Sequence, residues 1–155
     1  MKSMINNVIS IVFIGSLFQS ILSAVEIRGW NILSDNIDIA EKTIYHAKNY
    51  NINHLQLSHH LIHNLKEVSD VSKLKKINYL ATLAHNEGIQ KVYIWDHALY
   101  QKNYYPKKFF KENTNKLDLD NQEFWEWFRH DYKNKLEKIK IIDGIVLTFI
   151  ETGMR

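Results

Sequence analysis

Glu151 is the residue of this 155-residue chain whose position most invites chemistry. It follows an Asp143-Gly144 turn and the run Ile145-Val146-Leu147-Thr148-Phe149-Ile150, all apolar or β-branched. Such a run reads as a strand buried on both faces, as in a parallel sheet. A carboxyl at its exit is either the first solvated group of a loop or an acid facing a ligand. Parallel barrels and doubly wound sheets bind ligands at the C-terminal ends of their strands. Phe149 and Ile150 supply apolar surroundings that disfavour the charged carboxylate. A carboxyl kept protonated in this way can give its proton to a leaving oxygen. Asp96, at the exit of another apolar run, is the candidate second carboxylate, and paired carboxylates suit glycoside hydrolysis.

Other polar groups fall at comparable positions. Ser58 and His59 close one apolar run, and Trp95, Asp96 and His97 close the next. Trp95, Tyr100, Tyr104 and Tyr105 offer aromatic faces on which sugar rings can stack. The tyrosines are equally suited to packing their own loop. His59 and His60 are adjacent, with His63 three residues on, and a His-x-x-His pair can hold zinc. No HExxH motif or thiolate accompanies them. The stronger reading is that His59 or His97 hydrogen-bonds a polar ligand, that His63 lies on the surface, and that neither metal nor cofactor is required. His46, His54, His85 and His130 fall in helices or mid-strand and read as structural.

The elements that must position these groups follow one another regularly. Residues 26–33 read as a strand, and Ser34-Asp35-Asn36 as turn and N-cap residues. Apolar residues at Ile37, Ala40, Ile44, Ala47 and Tyr50 predict a helix. A second strand is predicted over 52–58, then a short helical turn near 61–65. A helix capped by Ser72 spans 73–87, with Gly88 at its left-handed C-cap. A third strand covers 90–95. The connection 98–120 is long, aromatic and lysine-rich, as functional connections often are. Asp120 then caps a helix over 122–139 that leads to the fourth strand. Four strands alternating with three helices predict an α/β fold with a parallel sheet. Either a small flavodoxin-like sheet or the first four βα units of a (β/α)8 TIM barrel fits. A whole barrel needs roughly 250 residues. An all-parallel sheet needs both faces covered, and no helix follows the fourth strand, so a truncated barrel is expected.

Composition narrows the class. Apolar residues make up 45% and charged residues 24%, the balance of a globular domain. The net charge of +3 comes from scattered lysines, with no basic stripe, so nucleic acid is not an expected partner. The absence of cysteine excludes disulfides, thiolate metal sites and thiol catalysis. Lys2, the apolar stretch 5–22 and Leu22-Ser23-Ala24 have the make-up of a secretory signal peptide over residues 1–24. Residues 25–155 would then form the mature domain, secreted or periplasmic in a bacterium. No stable membrane insertion is expected once the signal is cleaved.

Several motifs together resemble a known family. Leu117-Asp118-Leu119-Asp120, the helical Phe124-Trp125-Glu126-Trp127, Asp143-Gly144-Ile145-Val146-Leu147 and Glu151-Thr152-Gly153 resemble the middle of the catalytic barrel of α-glucuronidases of glycoside hydrolase family 67. The strands at 52–57 and 88–93 resemble that barrel's second and third. The likeness implies a (β/α)8 barrel, hydrolysis of a glycosidic bond with inversion, and a carbohydrate substrate. It also implies that Glu151 is the general acid. Thr152 and Ile150 depart from the family's Gly and Ser, and Ser58-His59-His60 replaces an Asn-rich run. These departures leave uronic-acid specificity open, and a related glycosidase-like family fits equally. The family's base-side carboxylates lie on later strands, so this chain without the C-terminal half of the barrel is expected to be inactive. A non-catalytic carbohydrate-binding protein on the same scaffold is the alternative.

Overall fold

The computed structural model describes residues 26–99 and 102–148. The expected signal segment 1–24, Tyr100 and Glu151 lie outside these described residues. Four strands form one sheet: β1 (Gly29–Asn31), β2 (His54–Gln56), β3 (Lys91–Asp96) and β4 (Gly144–Leu147). Helix α1 (Ile37–Ala47) joins β1 to β2, α2 (Val71–Asn86) joins β2 to β3, and α3 (Gln122–Leu136) joins β3 to β4. All three pairings are parallel, and the strand order is β1-β2-β3-β4. The α/β class and the parallel sheet therefore follow the sequence reading.

Strand order in the sheet matters for what the fold can be. A flavodoxin-like sheet reverses direction at a switch point and carries helices on both faces. Here each crossover leads to the next strand on the same side. Right-handed crossovers of that kind place every helix on one face. Burial agrees. Leu55, Val92 and Ile94 pack with Ala40, Ile44 and Ala47 of α1 and with Ile77, Leu80, Ala81 and Ala84 of α2 in one core. Residues of the opposite parity, His54, Gln56, Tyr93 and Trp95, remain half-buried. The alanines let the helices sit close to the sheet, while each fully buried Leu or Ile contributes roughly 1.5–3 kcal/mol.

Local signals account for the element ends. Asn36 caps α1, its Oδ1 accepting from Ile39 N at 3.1 Å. The residues expected to cap α2 and α3 are each displaced. Asp70 caps α2 in place of Ser72, because its carboxylate accepts from both Ser72 N (2.8 Å) and Lys73 N (3.2 Å). Asn121 caps α3 in place of Asp120, accepting from Glu123 N at 2.9 Å. The short turn of the β2–α2 connection is a 3-10 helix at Leu65–Ser69, later than expected. Gly88 ends the α2 turn at φ +91°, as its position predicted. Gly144 is needed for a different reason. A Cβ there would stand 2.6 Å from the ring of Tyr93, which lies over the start of β4.

β4 does not have the two buried faces its sequence predicted. It pairs with β3 alone among the described residues, and Leu147 is 48% exposed. An edge strand leaves one row of backbone groups and part of each side chain open.

The β3–α3 connection is ordered by a second core. Ala98, Leu99, Tyr105, Phe109 and Leu117 bury themselves against Phe124 of α3. Two 3-10 turns, Lys102–Tyr104 and Lys107–Phe109, and an antiparallel bridge between Phe110 and Leu117 shape it. The aromatic content of this stretch thus buys a separate folded layer at the C-terminal end of β3.

Candidate functional site

The C-terminal ends of β2 and β3 bring four histidines and a tryptophan together. His63 and His97 stack at 3.9 Å between ring centroids, and His59 lies 4.1 Å from His60. His59 stands 6.1 Å from Trp95 and 6.5 Å from His97. Trp95 stands 5.9 Å from His97. His59, Trp95 and His97, expected at a site, are therefore neighbours. His63, expected on the surface, belongs to the same group. Its place was not legible because the chain turns back after Ser58, which brings His63 O within 3.0 Å of His97 N.

Two of the expected site residues build the frame beneath this cluster. Ser58 is fully buried; its hydroxyl donates to Leu33 O (3.0 Å) and accepts from His60 N (3.1 Å). It ties the exit of β1 to the turn carrying the histidines. Asp96, expected as a substrate-binding carboxylate, is 1% exposed and points to the helix side. One carboxylate oxygen accepts from Leu65 N (2.8 Å) and the other from the Tyr132 hydroxyl (2.5 Å). Both oxygens are committed, so Asp96 anchors the β2–α2 connection and α3 to β3. Burial, and then the nearby Asp96 carboxylate, push the Tyr132 phenol well above its ordinary pKa, which keeps it a donor.

Sequence reasoning missed Asn64, Glu67 and Tyr132. Asn64 is buried, donates from Nδ2 to His97 O (3.2 Å), and accepts from Lys66 N (2.9 Å). Glu67 accepts from His63 N (3.3 Å), the Lys73 ammonium and the Tyr104 hydroxyl (3.4 Å). An Asn three residues before a Glu in a polar connection was the available signal, since that spacing marks a capped turn.

The two tyrosines part company. Tyr104 sits at the edge of the cluster. Its carbonyl accepts from the Lys66 ammonium (3.0 Å), which also lies 5.0 Å from its ring centroid. Burial, aided by the Glu67 carboxylate, raises its pKa. Tyr105 takes the packing role. It is 8% exposed, its ring meets Phe124 and Trp127 edge-on, and its hydroxyl accepts from Leu99 N at 2.9 Å. Burial pushes its pKa up to about 12. The Leu99 contact matters, because Leu99 holds a left-handed φ of 65° that costs a branched residue roughly 1–2 kcal/mol. That strain lies two residues beyond His97.

The open sheet face continues the site away from the helices. His54 and Tyr93 stack there at 5.9 Å. Beside Tyr93 in register, Gln56 keeps its amide Nε2 without a hydrogen-bond partner among the described residues. No three His, Asp or Glu side chains among the described residues converge to hold a metal ion. No helix among them is long and apolar enough to cross a membrane. The arrangement therefore gathers imidazoles, an indole and an amide at the C-terminal ends of β2 and β3. The carboxylates packed around it, Asp96 and Glu67, are already engaged. Among the described residues the last bond of the β3–β4 ladder, Thr148 N to Asp96 O at 3.0 Å, falls three residues before Glu151 in sequence. The chain matches no family model, and neither a curated protein nor a solved structure shows a significant likeness to it.

Proposed function

We propose that these βα units are the first half of a (β/α)8 barrel that hydrolyses a glycosidic bond, with Glu151 as the general acid. The observation that carries this reading is the sequential, singly wound sheet with a ligand-type cluster at its C-terminal end. Such a sheet has helices on one face, and in a barrel its other face lines the interior. The open face here carries aromatic and amide groups rather than a hydrophobic stripe. Trp95 can stack on a pyranose, and His59 and His97 can hydrogen-bond its hydroxyls. Glu151 follows the β4 run three residues beyond Thr148, and the resemblance to α-glucuronidases assigns it the acid role. The base-side carboxylate would come from later strands. Residues 1–24, as a signal peptide, would deliver the enzyme to an extracellular or periplasmic glycan.

The test is Glu151→Gln in the protein carrying the remaining βα units. General-acid catalysis contributes roughly 10²–10⁴-fold. The variant should lose about that factor on an oligosaccharide, whose leaving alcohol needs the proton. It should lose far less on a 2,4-dinitrophenyl glycoside, whose leaving group departs unprotonated. Equal turnover of the oligosaccharide by variant and parent would overturn the assignment. Undiminished oligosaccharide binding with no turnover in either protein would favour the non-catalytic carbohydrate-binding alternative.

A further inference from the structure

The β3–α3 connection encloses an open cleft of about 910 Å³ that no residue of the exit cluster lines. We infer that this cleft is a second carbohydrate subsite, taking a neutral oligosaccharide segment through its amides and the Phe110 ring. The inference rests on the carbohydrate reading for the class of ligand, and on the cleft's own residues for the place.

The first observation is chemical. Asn103, Asn113 and Asn115 line the cleft. Each carries a carbonyl acceptor and an NH₂ donor on one rigid plane. Vicinal sugar hydroxyls both donate and accept, so amides satisfy them without a change of protonation. Phe110, half-buried, also lines the cleft. A flat ring in that position suits the C–H face of a pyranose. A volume near the upper end of the usual range for small-molecule pockets suits a short oligosaccharide better than a single ring.

The second observation concerns charge. An anion site of phosphate or sulfate type would need converging cations, and guanidinium forks serve best. No arginine lines this cleft. Lys111 pairs with Asp120 (3.3 Å) and Asp118 (3.7 Å), and the lining also holds one further cation, Lys107, and one anion, Glu112. The charges balance locally, which favours a neutral ligand.

The third observation is that the cleft wall is preformed. Residues 110–117 make a small hairpin closed by Lys111 N to Lys116 O (2.9 Å) and Thr114 N to Lys111 O (3.0 Å). The Thr114 hydroxyl donates to Lys111 O (2.8 Å), and Asn113 turns the chain at φ 54°. A wall held by its own hydrogen bonds loses little entropy on binding. Tyr105 closes the cleft from the protein side, and its hydroxyl bond to Leu99 N links it to the exit of β3.

The experiment is a titration of the full ¹⁵N-labelled chain with xylotriose, cellotriose and N,N′,N″-triacetylchitotriose, reading side-chain amide and indole signals by NMR. At least one trisaccharide should shift the amide pairs of Asn103, Asn113 and Asn115. Asn113→Gly keeps the left-handed turn and removes the amide, and Phe110→Leu keeps apolar bulk and removes the flat ring. Each should weaken that trisaccharide's binding about tenfold. Shifts confined to the Trp95 indole would overturn the cleft and leave the carbohydrate reading standing. Shifts of the three amides by sodium sulfate but by no trisaccharide would make it an anion site instead. No response to any trisaccharide would overturn both.

Discussion

Asp96 shows how a polar residue at a strand exit can serve position rather than catalysis. Its two oxygens accept from Leu65 N and the Tyr132 hydroxyl, 31 and 36 residues away along the chain. An amide at this position would turn an NH₂ toward one of those donors and leave a buried pair facing each other. Asp96→Asn should therefore cost about 2–3 kcal/mol, and Tyr132→Phe, which removes one bond to a charged acceptor, about 1.5 kcal/mol. The two effects should add to less than their sum, since both remove the same contact. Urea unfolding midpoints at constant slope measure this. An Asp96→Asn chain as stable as the parent would free the carboxylate for ligand. The residue type at this exit was legible in the sequence. Its partners were not, because they come from a turn and a helix whose approach depends on the assembled sheet. His63 was misplaced for the same reason: nothing in the spacing of His59, His60 and His63 reveals a stacking partner on the next strand.

At the level of elements, the junction before β4 is fixed by Asp143. Its carboxylate accepts from Val92 N (2.8 Å) and from Lys91 Nζ (3.1 Å), and it lies 3.3 Å from His85 Nε2. Burial alone would raise its pKa. The Val92 N–H, the Lys91 ammonium and His85 outweigh that and hold the carboxyl below its usual range. A carboxylate with a folded pKa below its unfolded value stabilises the fold above the unfolded pKa, near 3.9. That contribution is lost as pH falls through the lower, folded value. Asp143→Asn should thus destabilise the chain by about 1 kcal/mol at pH 7. The gap should narrow below pH 4 and vanish once the parent's Asp143 is protonated. Thermal unfolding of both chains from pH 7 to pH 2.5 tests it, and a gap independent of pH would refute the electrostatic account. The Asp-Gly pair at this point was read as a turn. Its turn character was visible in residue types, but the latch across to β3 was not. The helix caps divide in the same way. Asn36 was legible because it directly precedes a periodic apolar run, whereas Asp70 lies before Val71 and Ser72 and its two-donor cap is visible only in three dimensions.

On the scale of the whole molecule, strand order adds what the element sequence does not record. Strand-helix alternation fits both a doubly wound sheet and a barrel segment, because the sequence pattern records which elements exist and not which neighbour each strand takes. The observed order leaves β2 and β3 in the centre, β1 and β4 at the edges, and one face of the sheet open among the described residues. Amide exchange should follow that order. The central ladder is covered on the helix side by Leu55, Val92 and Ile94, all fully buried, so its opening requires disruption of the main core. Backbone amides of β2 and β3 should exchange about 10-fold or more slowly than those of β1 and β4, which can fray singly. Hydrogen exchange read by mass spectrometry or NMR distinguishes two outcomes. Fast exchange in β4 marks a true edge. Protection of β4 equal to that of β3 means that something covers it, and the dependence of that protection on protein concentration says what. Protection that grows with concentration identifies another copy of the chain. Protection that does not change identifies residues of the same chain outside the described ones.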